Sequence, residues 1–139
     1  MADATLELIP YVFFYGRCEE ALNFYKSVLG GDFTMQRNSE SHMAGDIPAD
    51  WQDKIMHARF ESKGMKLMAA DGRASASIDP DSGNITLALE ASDPAEGDRI
   101  FAALSAGGNV KMPLSPTPWG GRFGMVDDRF NIEWMLSTP

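Results

Sequence analysis

Cysteine is almost missing from this chain: Cys18 stands alone among 139 residues, which excludes an intrachain disulfide and every paired-cysteine metal or redox motif. Neither histidine, His42 nor His57, lies near it in sequence, so a nucleophilic role for the thiol has no adjacent base to draw on. We expect Cys18 at a helix start, half buried in the fold. Basic residues are also scarce, twelve against twenty acids. The resulting formal charge of −8 and a pI near 4.6 repel polyphosphate, so no nucleic-acid partner is expected. Long apolar runs are lacking as well. Nothing approaches the roughly 20 residues that span a bilayer, and the opening MADATLELIPYVFF has no basic stretch of the signal-peptide kind. The expectation is a soluble, cytoplasmic protein with no membrane partner. Hydrophobic residues nevertheless make up 44%, which lets a chain of this length bury a core instead of remaining disordered.

The patterning predicts an alternation of strands and helices. Residues 5–14, TLELIPYVFF, are β-branched and aromatic, and Pro10 confines that strand to an edge or a bulge. From Glu19 to Leu29, Ala21, Leu22, Phe24, Tyr25, Val28 and Leu29 recur at helical spacing, and Gly30 follows as a residue free to take positive φ. Phe33 to Arg37 reads as a short strand. Ser39 to Asp53 is a polar loop broken by Gly45 and Pro48; it holds His42, Met43 and Trp51, and its length suits a lid or a mobile segment. KIMHARFES and MKLMAAD form a hairpin across a Lys-Gly turn. Residues 72–83 read as a linker.

The second half repeats this plan. NITLALEA alternates like a half-buried strand. Asp93, Pro94 and Glu96 supply an N-cap, a proline at the first helical position and an acid in the first turn. A helix then runs to Ala106 with Ile100, Phe101 and Leu104 on its buried face, followed by the strands NVKMPLS, GRFGMVDD and NIEWMLS. FYKSVLGGDFTM (24–35) lies over FAALSAGGNVKM (101–112) at a constant offset of 77, and GMKLMAAD lies more loosely over NIEWMLST at 67. Such self-similarity marks a duplicated supersecondary unit. The unit is βαβββ, with modules at about 5–71 and 84–137. Each lays its helix on one sheet face and leaves the other free, and two such faces apposed would enclose a cavity.

The segments IPYVFFYGRCEEALNFYKSVLGG, DKIMHA, LMAAD and PWGGRFGMVDDRFNIEWM together resemble the PhnB-like branch of the glyoxalase/bleomycin-resistance/dioxygenase superfamily, also called vicinal oxygen chelate. The resemblance covers about residues 7–137. It implies an α+β fold of two βαβββ modules forming a cupped mixed sheet, and a homodimer. It does not name a reaction, because this fold hosts metal-dependent lyases, isomerases, epimerases and dioxygenases as well as metal-free proteins that sequester drugs. Some members of the branch carry a demethylubiquinone methyltransferase label, but no Gly-rich strand-to-helix turn suited to a methyl-donor nucleotide is present here.

In metal-using relatives the ligands lie on the first and last strand of each module, and a divalent ion there needs three or four His, Glu or Gln side chains. The resemblance places those positions at Pro10, Lys66, Asn84 and Glu133. Only Glu133 is a good ligand, so no metal and no cofactor are expected. Lys66 and Glu133 occupy equivalent points of the modules and could pair, leaving Glu133 as an ion-pair member, a polar anchor for a ligand, or a general base. Period two does not decide which face of IMHARF carries His57, which is either a hydrogen-bonded structural residue or a cavity-lining contact. His57 and Glu133 are the candidates for any catalytic role. The expected ligand contacts are Phe14, His57, Lys66 and Met68 in the first module and Trp119, Arg122, Glu133 and Met135 in the second. Trp134, alternating with Glu133, should pack on the second helix. The expected function is metal-independent binding of a small, partly apolar molecule; a metal-dependent enzyme and a drug-sequestering protein are the alternatives.

Overall fold

The computed structural model describes residues 6–42, 44–72 and 84–139; Met43 and almost all of the expected linker lie outside them. The chain divides into two compact units, Met1–Ser77 and Ile78–Pro139. The first contains β1 (Tyr11–Phe13), α1 (Cys18–Leu29), β2 (Asp32–Arg37), β3 (Ile55–Ser62) and β4 (Met65–Ala70). The second contains β5 (Leu87–Glu90), α2 (Pro94–Ser105), β6 (Asn109–Pro116), β7 (Arg122–Asp127) and β8 (Glu133–Thr138). Each unit is βαβββ, an α+β arrangement. The strand orders, β1-β4-β3-β2 and β5-β8-β7-β6, are the same in both, with the first strand parallel to the last and the other pairs antiparallel.

The register gives the duplication a residue-level form. Tyr11 pairs with Met68 and Ala88 with Met135, which are related by the offsets of 77 and 67 seen in the sequence. The repeated Gly-Gly has a separate cause at each position. Gly30 and Gly107 take φ of 75° and 78°, the left-handed turn that ends each helix at little cost only for glycine. A Cβ on Gly31 would sit 2.1 Å from the carbonyl oxygen of Glu61, and one on Gly108 2.2 Å from that of Asp127. The chain thus leaves each helix and enters the next strand against the backbone of its neighbour, where no side chain fits.

α1 buries Ala21, Leu22, Tyr25 and Val28 against Ala58, Phe60, Leu67 and Ala69 of the sheet, all no more than 2% exposed. The larger of these side chains, Leu22, Val28, Phe60 and Leu67, contribute about 1.5–3 kcal/mol each when buried, so Leu22→Ala would cost about 2–5 kcal/mol. In the second unit Ile100, Phe101 and Leu104 meet Val126, Trp134 and Leu136 in the core, with Trp134 on the helix side as its alternation with Glu133 predicts. Asp93 caps α2 by accepting from Ala95 N, and Glu96 pairs with Arg99.

Three expectations change. The first strand spans Tyr11–Phe13 only, because Pro10 has no N–H to give a ladder and contributes its carbonyl alone, to Met68 N at 2.9 Å. Cys18 is fully buried at 0% exposure, not half buried. The polar loop after β2 holds three short 3-10 turns and is stitched by Gln52, whose amide donates to the carbonyls of Ala44 and Ile47 at 2.7 and 2.8 Å. His42, within that loop, is exposed.

Candidate functional site

Strand alternation gives each sheet one face under its helix and one face free of it. In the first unit the buried pairs Ala58–Ala69 and Phe60–Leu67 take the helix side, which turns His57, Arg59 and Glu61 of β3 to the helix-free side. The sequence could not decide this for His57 because a register shift between Gln36 and Arg37 breaks the alternation, so Ile55 is buried out of phase with its neighbours. Tyr11 and Arg59 both stand beside Met68, and Phe13 stands beside Ala70. Tyr11 Oη lies 3.0 Å from His57 Nδ1; the two rings are 5.6 Å apart and the Tyr11 and Phe13 rings 5.2 Å. Partial burial, with the Cys18 thiol adding to it, holds the Tyr11 phenol above its ordinary range, so it remains a proton donor. When it donates to Nδ1, His57 carries its own proton on Nε2.

In the second unit the helix-free face brings together Glu133, Met135 and Ser137 of β8 with Phe123, Met125 and Asp127 of β7. Glu133 accepts from Lys111 Nζ at 2.7 Å and from the Thr86 hydroxyl. The Lys111 ammonium, followed by the Thr86 hydroxyl, holds the Glu133 carboxyl below its usual range, and the same contact raises Lys111. Lys111 Nζ also stands 3.3 Å from Asp127 Oδ1. That approach lies outside hydrogen-bond geometry, so the buried oxygen has a neighbouring charge but no directed donor among the described residues.

The expected contacts separate. His57, Met68, Glu133 and Met135 lie on helix-free faces. Lys66 does too, with its ammonium on Glu7 at 2.9 Å, while Glu133 takes Lys111 in its own unit. Phe14 is a correction: it is 3% exposed, its ring 6.0 Å from Tyr25 of α1, and it belongs to the helix layer. Arg122 is another. It donates to Asp98 at 2.7 Å, Thr138 at 3.1 Å and the Pro94 carbonyl at 3.2 Å, clamping β7 to α2. Trp119 sits in the turn after β6, 80% exposed. Sequence reading overlooked Tyr11, Phe13, Arg59, Thr86, Lys111 and Asp127. Alternation in YVFFY would have found the first two once the edge position of β1 was set, whereas Lys111 lies near bulges that hide its phase.

The register also locates the ligand-type positions within each unit. Thr86, just before β5, is the neighbour of Glu133, one step before the Leu87–Trp134 pair, and Ile9 holds the same place beside Lys66, so the register puts Ile9 and Thr86 where the resemblance put Pro10 and Asn84. In the second unit this pair of positions supplies one carboxylate, Glu133, which Lys111 and Thr86 already engage; in the first unit it supplies none. No group of three or more His, Cys, Asp or Glu side chains placed to hold an ion occurs among the described residues.

A second, polar cleft of about 430 Å³ opens at the start of α1, where Arg37 pairs with Glu19 at 3.1 Å and Lys54 donates to the Gly16 carbonyl at 3.0 Å.

The family model of the Glyoxalase/Bleomycin resistance protein/Dioxygenase superfamily matches residues 8–136. The chain belongs to that superfamily. It is 31% identical to Protein YjdN of Escherichia coli K12, over 96% of this chain and 95% of YjdN, which places it with the PhnB-like members. The crystal structure of protein PA1353 from Pseudomonas aeruginosa is similar at 40% identity and a TM-score of 0.83, covering 96% of this chain and 98% of that one. A PhnB protein from Bacillus cereus, whose name carries the 3-demethylubiquinone-9 3-methyltransferase label, shares the fold at 24% identity and a TM-score of 0.78, over 96% of this chain and 100% of its own. Among the described residues no helix is long and apolar enough to cross a membrane.

Proposed function

We propose that this PhnB-like superfamily member binds a small, partly apolar molecule on the helix-free faces of its sheets, without a metal ion. The observation that carries this reading is the contrast between the two candidate groups. Glu133, the one ligand-type side chain at its position, is engaged by an ammonium and a hydroxyl. Tyr11, Phe13 and His57 instead present rings and a polar tip together, with Tyr11 42% and Phe13 44% exposed. Apolar surface with a few placed polar groups is the usual makeup of a small-molecule site.

Thermal shift over a library of small aromatic and aliphatic compounds tests the binding, since a ligand at 100 times its Kd adds about 2.7 kcal/mol of stability. His57→Ala should weaken the hits, and Glu133→Gln should weaken those that reach the second face. Elemental analysis of protein purified without a tag tests the metal-free part; one zinc, iron or manganese per chain would overturn it. A cytoplasmic homodimer completes the proposal. Its support is the apolar Leu6, Leu8 and Ile85, 91%, 90% and 83% exposed beside the edge strands β1 and β5. Light scattering that returns a monomer at micromolar concentration refutes the dimer, and cell fractionation tests the location.

A further inference from the structure

The helix-free face of the first sheet has an aromatic edge, a low floor and a cationic edge. β1 supplies Tyr11 and Phe13, and β4 supplies Met68 and Ala70 beside them. β3 supplies Arg59, beside Met68, and His57, one step beyond the Ala58–Ala69 pair. Arg59 differs from the other described arginines. Arg17, Arg37, Arg99 and Arg122 hold carboxylates, and Arg129 donates to the Ala106 carbonyl. The Arg59 guanidinium makes no ion pair or hydrogen bond among the described residues. In a chain of net charge −8, with acids in excess, a half-buried arginine with no partner among the described residues gives this sheet face a receptor for an anion.

Building on the small-molecule reading above, we infer that this face takes a small aromatic acid. Its ring lies over Met68 and Ala70 against Tyr11 and Phe13, and its carboxylate is gripped by Arg59 with His57 Nε2–H as a second donor. The guanidinium fork matches a carboxylate's two oxygens, and exposed aromatic rings favour a flat apolar body over a branched one. The remaining charges on the face limit the anion. Glu61 is two positions along β3 from Arg59 and opposite Lys66, while Asp32 is held by Lys26 at 3.1 Å. A depression of about 270 Å³ bounded by Asp32, Arg59 and Glu61 is therefore acidic on its far side. A single carboxylate is accepted there, and a polyanion is not.

The test uses two probes of one shape, 2-naphthoate and its neutral amide 2-naphthamide, titrated into the full chain and followed by two-dimensional NMR and calorimetry. Naphthoate should bind at least tenfold more tightly than naphthamide and lose affinity with added salt. Arg59→Gln should reduce naphthoate to the level of naphthamide and leave naphthamide unchanged, Arg59→Lys should restore part of the difference, and Glu61→Gln should tighten naphthoate severalfold. Phe13→Ala should weaken both probes alike. Naphthoate binding that survives Arg59→Gln, or equal binding of the two probes, overturns the acid assignment and leaves small-molecule binding standing. If neither probe binds while other compounds stabilise the protein in the thermal screen, the aromatic acid is wrong and the wider reading holds. If nothing stabilises it, the wider reading falls first.

Discussion

Asp71 is the buried joint of the first unit, and replacing it gives a sharp test of how the fold holds its aromatic face. Its carboxylate is 1% exposed. Oδ1 accepts from the backbone N–H groups of Gly16 and Cys18, both at 2.8 Å, and Oδ2 from that of Ile55 at 2.7 Å. One side chain therefore ties the end of β4 to the start of α1 and to the start of β3. It also does the work of a helix cap, since Arg17 at the cap position makes no side-chain cap bond, and it steadies a turn in which Tyr15 and Gly16 take φ of 46° and 107°. Asp71→Ala strands three backbone donors, two of them in buried bonds. Loss of a cap costs about 1 kcal/mol and each unsatisfied buried donor about 1–3 kcal/mol; water entering the vacated space recovers part of that. The net expected loss is about 3 kcal/mol, or a fall of roughly 10 °C in Tm for a chain of this size. Urea unfolding followed by tryptophan fluorescence and far-UV circular dichroism should show a lower midpoint at unchanged slope. Asp32→Ala, which removes an exposed ion pair with Lys26, serves as the control and should leave the midpoint within error. A midpoint for Asp71→Ala that matches this control refutes the assignment of Asp71 as the joint.

Three shorter predictions follow from the same geometry. Because Lys111 and Thr86 lower the Glu133 pKa in the folded state, their stabilisation is present above the ordinary carboxylate range and lost as pH falls through the folded value; NMR titration should place the Glu133 midpoint below 4.5, its ordinary value, and Lys111→Met should raise it. Burial, with the negative Asp71 and Glu19 nearby, drives the Cys18 thiol well above its usual range, so a thiol reagent at pH 8 should leave the native protein unlabelled and label it stoichiometrically in urea. Arg122→Ala removes the clamp between β7 and α2, and should cost about 1–2 kcal/mol in the urea midpoint with ligand affinity on the first unit unaffected; a large affinity loss would mean Arg122 does more than hold the fold.

Legibility of this chain followed how local each signal was. The helices were plain in the sequence because their spacing, the Asp93-Pro94 start and the glycine stops are all set within a few residues. The duplication was plain because the second glycine of each pair meets a neighbouring backbone, at the carbonyls of Glu61 and Asp127, and duplicated geometry keeps that requirement. The first strand was overestimated since Leu6 and Leu8 look like strand residues, yet the pairing starts only beyond Pro10. Site residues were hardest, because a face is decided by register and register is a property of two strands. The shift at Gln36–Arg37 hides the phase of His57 from the neighbouring strand, and the Ala58–Ala69 pair settles it. Partners were equally hidden: nothing local says that Lys66 will take Glu7, or that Lys111, 22 positions from Glu133, will hold the carboxylate that resemblance alone marks as a metal ligand. It follows that a superfamily position filled by an acid is weak ground for chemistry until its cross-strand neighbours are known. Here the neighbours at 86 and 111 turn a ligand-type residue into one member of an ion pair.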